Sequence, residues 1–597
     1  MRVPPHDAAS RPSEWRELGR SIVYECGKLG ECPPSAATTL SPIDLHPLPK
    51  NAVLSWALVY DDALDEERMR KALARVLQDY PLLAGRFAPN KQRRGRGGWF
   101  GLAPKPTPAR INHRAVFDAR EAYVTTIPAT GGGGGADGDP MRVLHNNVGV
   151  PFTIGRASCR ASDLAASGFV VTHAQAPWLV DAMDLRRVFE GRDAVMSVRL
   201  THLRNGGGAI GVTVPHALTD GRALTAFLTA LSRSYEGLPF PAPSLDRGVV
   251  AFQTLASRCS PKERASLLSP NSDAPASQDG KLSVLARAAS FLGAYNRGPP
   301  AAAPQNASAD HGSPHLPHSQ PPRPPSSPPD VASDVTLWQA VRFLSGVGWA
   351  AWTRGQRLAR PLVLHVDEGR LRRTQGDATP QRVSRNDCAV AHVWRLLRTL
   401  QDRLGLLRGT DREHASRMLF AADLRVAGRL LEAPVGEGYF GNAVVAVDVR
   451  GPGRMTHPEC AMEVRRAVTN GLAPSRTMAL LRSIWQLSGG GASLGQSVRA
   501  LVASLPCYHD CFVTSWPFAF DDVAFGDRRP IAFLPGMFPA CPWTAIVIGG
   551  KGEGAGKHVH LTLPEDAIAL LKDDPALEGG LGTLGTLAGV THDEQQA

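Results

Sequence analysis

The stretch GGAIGVTVPHALTDG, Gly207–Gly221, decides how this chain reads. Its first part is apolar and β-branched, as a buried strand requires. It runs into a tight loop and then a helix, whose stripe is Leu224, Phe227, Leu228, Leu231 and Tyr235. The loop spells His-x-x-x-Asp-Gly, with His216, Asp220 and Gly221. A histidine at the end of a buried strand, beside a helix start, is placed to act as a general base at neutral pH. The alternative is a core histidine satisfied by hydrogen bonds. Asp220 stands where an N-cap belongs, so its carboxylate is expected to accept backbone N–H groups.

Outward from this loop, the first half alternates strands and helices. LSPIDLHPLP (Leu40–Pro49) leads into the strand AVLSWALVY (Ala52–Tyr60). Asp65 is placed to cap a helix with Met69, Ala72, Leu73, Val76 and Leu77 on one face. Tyr80-Pro81 ends it. YPLLAGRF (Tyr80–Phe87) follows, with Gly85 permitting a close turn and Phe87 opening a strand. Val143–Ser158 and Val195–Val214 read as strands joined by turns. The second half resumes with PLVLHVDEGRLRR (Pro361–Arg373), a helix over Asn386–Leu400, and AADLRVAGRL (Ala421–Leu430). Then come GYFGNAVVAVDV (Gly438–Val449), a helical region over 457–487, a flexible SGGGAS (Ser488–Ser493) and a strand plus loop over Cys511–Phe533. The reading is an α/β protein of two domains with mixed sheets, the catalytic loop lying between them.

With 597 residues the chain is too long for one ordinary domain, and 59 Gly with 49 Pro assign much of the excess to loops. Residues 1–39 read as irregular, 40–245 as the domain carrying His-x-x-x-Asp-Gly, and 246–334 as a crossover. Residues 335–575 read as the second domain, with parts of 520–545 able to pack on the first, and 576–597 as a flexible tail. Within the crossover, residues 298–334 are rich in Pro, Ser and Ala, which suits an inert spacer or a ligand for proline-binding modules. The Gly runs at 92–98 and 128–140 lack the Gly-Lys-Ser/Thr ending of a phosphate loop and read as linkers.

The net charge of +11 fits either an arginine-rich solvated surface or a face for an anionic cofactor such as a phosphorylated acyl carrier. Nucleic acid is disfavoured: the chain has no zinc-finger spacing, no RNA-binding aromatic motif and no long Lys/Arg run. The N-terminus lacks the apolar core of a signal peptide, so Asn306-Ala-Ser308 reads as a chance sequon. Val335–Trp352, the most apolar window, is interrupted by Gln339 and Arg342 and reads as a core helix rather than a membrane span, with a membrane-surface helix as the lesser option. Nine scattered cysteines show no metal-ligand spacing; Cys507 and Cys511 with His509 between them do not make a site. Sparse cysteines suit a reducing compartment, here the cytoplasm.

Several of these stretches together resemble the BAHD acyl-CoA-dependent acyltransferases. The resemblance is carried by LSPIDLHP, YPLLAGRF, HALTDG, SRNDCAVAHVWR, GYFGNAV, and VTSW followed by DVAFG, in that order over about 500 residues. Among 18 histidines only His216 has Asp four residues later, and about one such match arises by chance, so the ordered set carries the weight. The resemblance implies a chloramphenicol acetyltransferase-like fold of two similar-sized domains with a channel between them. It implies a monomer with no permanent cofactor, acyl-CoA as co-substrate, and a small alcohol or amine as acceptor. His216 would be the base, and Asp220 would turn away to pair with Arg425. Thr514 and Trp516 would donate to the oxyanion; for Trp516 simple burial is the alternative. Asn442 would make a turn or inter-domain contact, and Gly441 would serve backbone geometry. DVAFG keeps Asp522 and Gly526 of the family's Asp-Phe-Gly-Trp-Gly but changes the middle, which bears on loop packing and substrate scope. Arg528 and Arg529, just after it, are candidates for the CoA phosphates. Neither a Gly-x-Ser-x-Gly elbow nor a Cys-His pairing is evident, so a ternary complex without an acyl-enzyme is expected.

Overall fold

The computed structural model describes residues 16–24, 36–50, 52–88, 141–166, 176–250, 254, 359–379, 381–406, 416–425, 438–451, 455–473, 476–478, 480–481, 484, 511–518, 520–535, 542–549, 556–573 and 582–583. The Gly runs, the proline-rich segment, the sequon, Val335–Trp352, SGGGAS, Cys507 and His509 lie outside them. All that follows lies in one unit formed by residues 1–258 and 330–597.

The first strands are β1 (Arg16–Val23), β2 (Ala37–Thr39), β3 (Val53–Tyr60), β4 (Arg86–Phe87), β5 (Arg142–Leu144), β6 (Val150–Arg156), β7 (Ser197–His202) and β8 (Gly208–Pro215). The later ones are β9 (Ala359–Val366), β10 (Ser416–Asp423), β11 (Val444–Gly451), β12 (Cys511–Trp516), β13 (Ala532–Pro535), β14 (Thr544–Gly549), β15 (Lys557–Pro564) and β16 (Gly582–Thr583). The principal helices are α1 (Glu66–Asp79), α2 (Gly221–Tyr235), α3 (Glu368–Asp377), α4 (Arg385–Arg403), α5 (His457–Gly471) and α6 (Glu565–Asp573). A six-stranded sheet has the order β1-β6-β7-β8-β3-β13, and a seven-stranded sheet the order β11-β10-β12-β14-β15-β9-β16; β2, β5 and β4 form a third. Both large sheets mix parallel and antiparallel pairs.

Three differences from the sequence reading have physical reasons. Residues 1–39 are not wholly irregular. β1 pairs antiparallel with β6, but nearly all its side chains are exposed or half-buried. Backbone bonds to a neighbour, not an apolar face, hold it, so it left no periodic signal. β2 likewise pairs with β5. In the expected tail, Gly582–Thr583 pair with Leu364 and His365, covering part of an edge that β9 would otherwise leave open. Gly85 has φ of −88°, so it makes no left-handed turn; it is needed because a Cβ there would lie 2.0 Å from the Leu144 carbonyl oxygen.

β8 is buried along its whole length. On one face Ile210, Val212 and Val214 join the main core with α1 and α2. The other face is small because the chain at 178–181 crosses it: a Cβ on Gly211 would lie 1.8 Å from the Leu179 carbonyl oxygen. Thr213 Oγ1 donates to the Asp181 carbonyl at 2.9 Å, and Thr201 Oγ1 donates to the Trp178 carbonyl. In the second sheet, α4 begins with a capping box between Ser384 and Asp387 and packs with α5, where Arg465 pairs with Asp387.

The chain crosses back between the sheets after β12. β13 joins the first sheet beside β3. On the way, Val523 accepts a 2.9 Å hydrogen bond from Tyr60 Oη, Ala524 accepts one from Ser232 Oγ, and Gly526 N–H donates to Glu236. Val523 and Phe525 are buried, and Phe525 meets Tyr60 and Tyr235 edge-on. Asp522 is exposed and Gly526 takes φ of +74°. The altered DVAFG loop is thus a packed plug on the C-terminal end of α2.

Gly211→Ala is expected to destabilise the protein by about 3 kcal/mol, because the clash is with backbone that cannot rotate away. Gly376→Ala, on α3 with open space around it, should change stability by less than about 0.5 kcal/mol. Urea denaturation compares them; equal effects would contradict the crossing at 178–181.

Candidate active site

β8 ends at Pro215, and the next residues turn through His216–Asp220 into α2. Backbone bonds alone shape part of this loop: His216 N–H reaches the Ala52 carbonyl at 2.9 Å, and Leu218 N–H the Pro215 carbonyl at 3.0 Å. Two loop carbonyls are held by distant side chains. Asn442 Nδ2 donates to the His216 carbonyl at 2.8 Å, and Arg247 Nη2 to the Leu218 carbonyl at 2.7 Å.

Asp220 is 1% exposed, and both its oxygens are engaged. Oδ1 accepts the Ala223 N–H at 3.0 Å, the expected cap. Oδ2 accepts from Arg425 Nη1 at 2.9 Å and from the Ala443 N–H at 2.8 Å. Arg425 also donates to Asp423 and to the Gly441 carbonyl. The Asp220–Arg425 pair therefore ties the start of α2 to the loop before β11.

A second pair lies beside it. Asp44, in LSPIDLHP, is fully buried and accepts from the Ser41 N–H and hydroxyl and from the Asn442 N–H and Nδ2. The Arg247 guanidinium lies 3.6 Å from it. Two acceptors, a carboxylate and a carbonyl, fix which end of the Asn442 amide is nitrogen. Tyr439 stands between the two arginines, each guanidinium 5.4 Å from its ring centre. Gly441 has no left-handed φ among the described glycines; it is glycine because a Cβ would lie 1.3 Å from Arg247 Nη1. Gly221 is similarly constrained, with Phe518 3.0 Å from where its Cβ would be.

His216 itself is half-buried. Its Nδ1 is buried with no hydrogen-bond partner. Burial pushes the imidazole pKa below the usual 6.5, while the Asp220 and Asp44 carboxylates pull the other way without cancelling it. The ring is thus a neutral base at pH 7.

β12 contributes Thr514 and Trp516, two residues apart and so on one face. Trp516 packs on Trp56 with ring centres 5.1 Å apart, and Phe520 and Phe533 complete the aromatic group. Trp56 also lies 3.5 Å from where a Gly221 Cβ would be, so this cluster reaches the start of α2. Arg528 is elsewhere. It is ion-paired with Asp62, just beyond the Tyr60 end of β3, while His216 follows Pro215, which pairs with Val53 at the other end. The length of β3, about 23 Å at the rise of an extended strand, separates them. Arg529 is exposed beside Arg528. Neither arginine is brought to His216.

Asp44, Arg247 and Tyr439 were not singled out from sequence. Asp44 and Tyr439 lie within motifs already quoted, and a buried acid there needed a buried base. Arg247 sits in a stretch without periodicity, and no sequence signal marked it. Among the described residues, no group of three His, Cys, Asp or Glu could hold a metal.

A sequence profile described as "Transferase family" matches residues 139–251 and 367–578, more than half of the chain. The chain belongs to this family, the BAHD acyltransferases. Its fold is also that of solved structures. The crystal structure of vinorine synthase aligns with a TM-score of 0.54 at 14% identity, covering 96% of this chain and 99% of that one. TRI101 of F. graminearum, complexed with coenzyme A and T-2 mycotoxin, gives 0.55 at 12% identity over 92% of this chain and 100% of that one. TRI101 of F. sporotrichioides, complexed with coenzyme A and T-2, gives 0.53 at 14% identity with the same coverage. At these identities the likeness is one of fold. No curated protein sequence matches the chain. No helix among the described residues is long and apolar enough to cross a membrane.

Arg425→Met would leave Asp220 buried without its counter-charge, at a cost of about 3–5 kcal/mol in urea denaturation. Arg222→Met breaks a half-buried pair with Asp423 and should cost about 1 kcal/mol or less. Equal losses would contradict the central place given to Asp220–Arg425.

Proposed function

We propose that the protein transfers an acyl group from a CoA thioester to the hydroxyl of a small acceptor, with His216 as general base in a ternary complex. The observation that carries this reading is the state of His216. It is deep in the protein yet half-exposed, uncharged at neutral pH, and held on a loop whose carbonyls are clamped by Asn442 and Arg247. Such a group can take the proton from an acceptor hydroxyl as it attacks the thioester carbonyl. Asp220 orients rather than reacts, since its lone pairs are already taken by Ala223, Ala443 and Arg425.

The tetrahedral oxyanion needs donors. The Thr514 hydroxyl and the Trp516 indole, on one face of β12, are chemically suited to that task. Each preorganised donor contributes roughly 3 kcal/mol. Coenzyme A as co-substrate is supported by the family and by the two TRI101 complexes, which contain it. Both halves of the site come from one chain, so a monomer suffices. Three buried free thiols among the described residues, Cys159, Cys388 and Cys460, suit the reducing cytoplasm.

The test is CoA release from a panel of acyl-CoAs offered with alcohols and amines, for wild type and His216→Ala. Acceptor-dependent release with alcohols is expected, falling by about 10²–10⁴ in the variant. Turnover confined to amines would make the protein an N-acyltransferase, and binding of CoA with no turnover would make it a binding protein on this fold. Because the neutral imidazole is the active form and burial lowers its pKa from 6.5, kcat/KM should fall through an acid limb centred below pH 6.5. An acid limb centred above pH 7 would contradict the assignment.

A further inference from the structure

The register of the second sheet places two unassigned histidines beside the site. Thr514 pairs with Ile546, and Ile546 with His560; Trp516 pairs with Ile548, and Ile548 with His558. Cross-strand partners share a face, so His560 and His558 stand on the face that carries Thr514 and Trp516. That face looks toward the first sheet, because Trp516, Ile546 and Ile548 all belong to the core that includes Trp56 and Val212. The opposite face, with Val513 and Val559, lies under α4. Two strand spacings separate Thr514 from His560, about 10 Å.

These histidines are not sealed core residues. Both are half-buried, and the His558 ring meets that of His365 on β9 edge-on, with ring centres 5.5 Å apart. Nor do they form a metal site, since no group of three candidate ligands exists among the described residues. Burial pushes His560 down to about 3 and lowers His558, so neither is a cation at neutral pH. They offer no positive charge to a carboxylate or phosphate. A neutral imidazole presents one donor and one acceptor, which matches a hydroxyl.

We propose that His558 and His560 form a hydrogen-bonding wall that takes an uncharged hydroxyl carried by one of the two substrates, about 10 Å from the reacting carbonyl, with Ile546 and Ile548 packing the apolar span between. This rests on the reading that Thr514 and Trp516 flank the reacting carbonyl. The selected substrate is thus a molecule with a polar far end rather than a simple apolar one. The wall is a specificity device, separate from the base.

The test compares 1,8-octanediol with 1-octanol as acceptors, and 8-hydroxyoctanoyl-CoA with octanoyl-CoA as donors, in wild type, His560→Phe, His558→Leu and His560→Gln. Wild type is expected to favour the hydroxylated member of one pair by about tenfold in kcat/KM, the worth of one hydrogen bond; which pair responds tells which substrate the wall reads. The preference should vanish in His560→Phe and His558→Leu and partly survive in His560→Gln. Discrimination below about twofold in both pairs, or discrimination that persists in both apolar variants, overturns the proposal. Where wild type turns over no pair, stabilisation of the CoA-saturated protein against heat by the same compounds decides in the same terms. Absent turnover by itself tells against the acyl-transfer reading, not against the wall.

Discussion

Everything around the loop depends on one buried ion pair, Asp220 with Arg425. Both partners are almost fully buried, 1% and 6% exposed. A lone charge in such a place is costly, and the pair persists because each partner meets further hydrogen-bonding groups. Asp220 gains two backbone donors, and Arg425 gains Asp423 and a carbonyl. Asp220 caps the helix that follows His216, while Arg425 comes from the end of a strand in the other sheet. Fixing one therefore fixes where the loop stands relative to the second sheet. The neighbouring Asp44–Arg247 pair does the same for the loop's inner carbonyls. Tyr439 keeps the two guanidiniums apart, and Gly441 leaves room for one of them.

The two sheets are locked at a second place, far along β3. The DVAFG loop buries Val523 and Phe525 against Tyr60 and Tyr235, and β13 then continues the first sheet. One apolar cluster consequently joins the first sheet to the Trp516–Ile546–Ile548 face of the second. The polar pairs near His216 and the apolar plug bracket the aromatic group of Trp56, Trp516, Phe520 and Phe533. Rigid supports on both sides suit a site that must hold a base within a fraction of an ångström of its target.

Much of this was legible in the sequence. The helix after Asp65 buries the five residues its periodicity marked, because an amphipathic stripe and a side-chain cap are local properties. The strand–loop–helix around His216 and the capping by Asp220 were legible for the same reason. β1 was not, since a polar edge strand is specified by its partner rather than by its own residues. Asp44 and Arg247 were not, since a contact 203 positions apart leaves no spacing to read. The reason for Gly441 was hidden likewise: the atom that forbids its Cβ belongs to Arg247. His558 and His560 needed the register of three strands before their face could be known.

Acyl transfer on this site requires that His216 meet the thioester of a bound acyl-CoA. The most direct measurement is a crystal structure of the protein with coenzyme A. The CoA thiol is expected within about 4 Å of the space between the His216 imidazole and the Thr514 hydroxyl, the separation of reacting groups. Coenzyme A seated with its thiol away from that space, as at the Asp62–Arg528 end of β3, would contradict it.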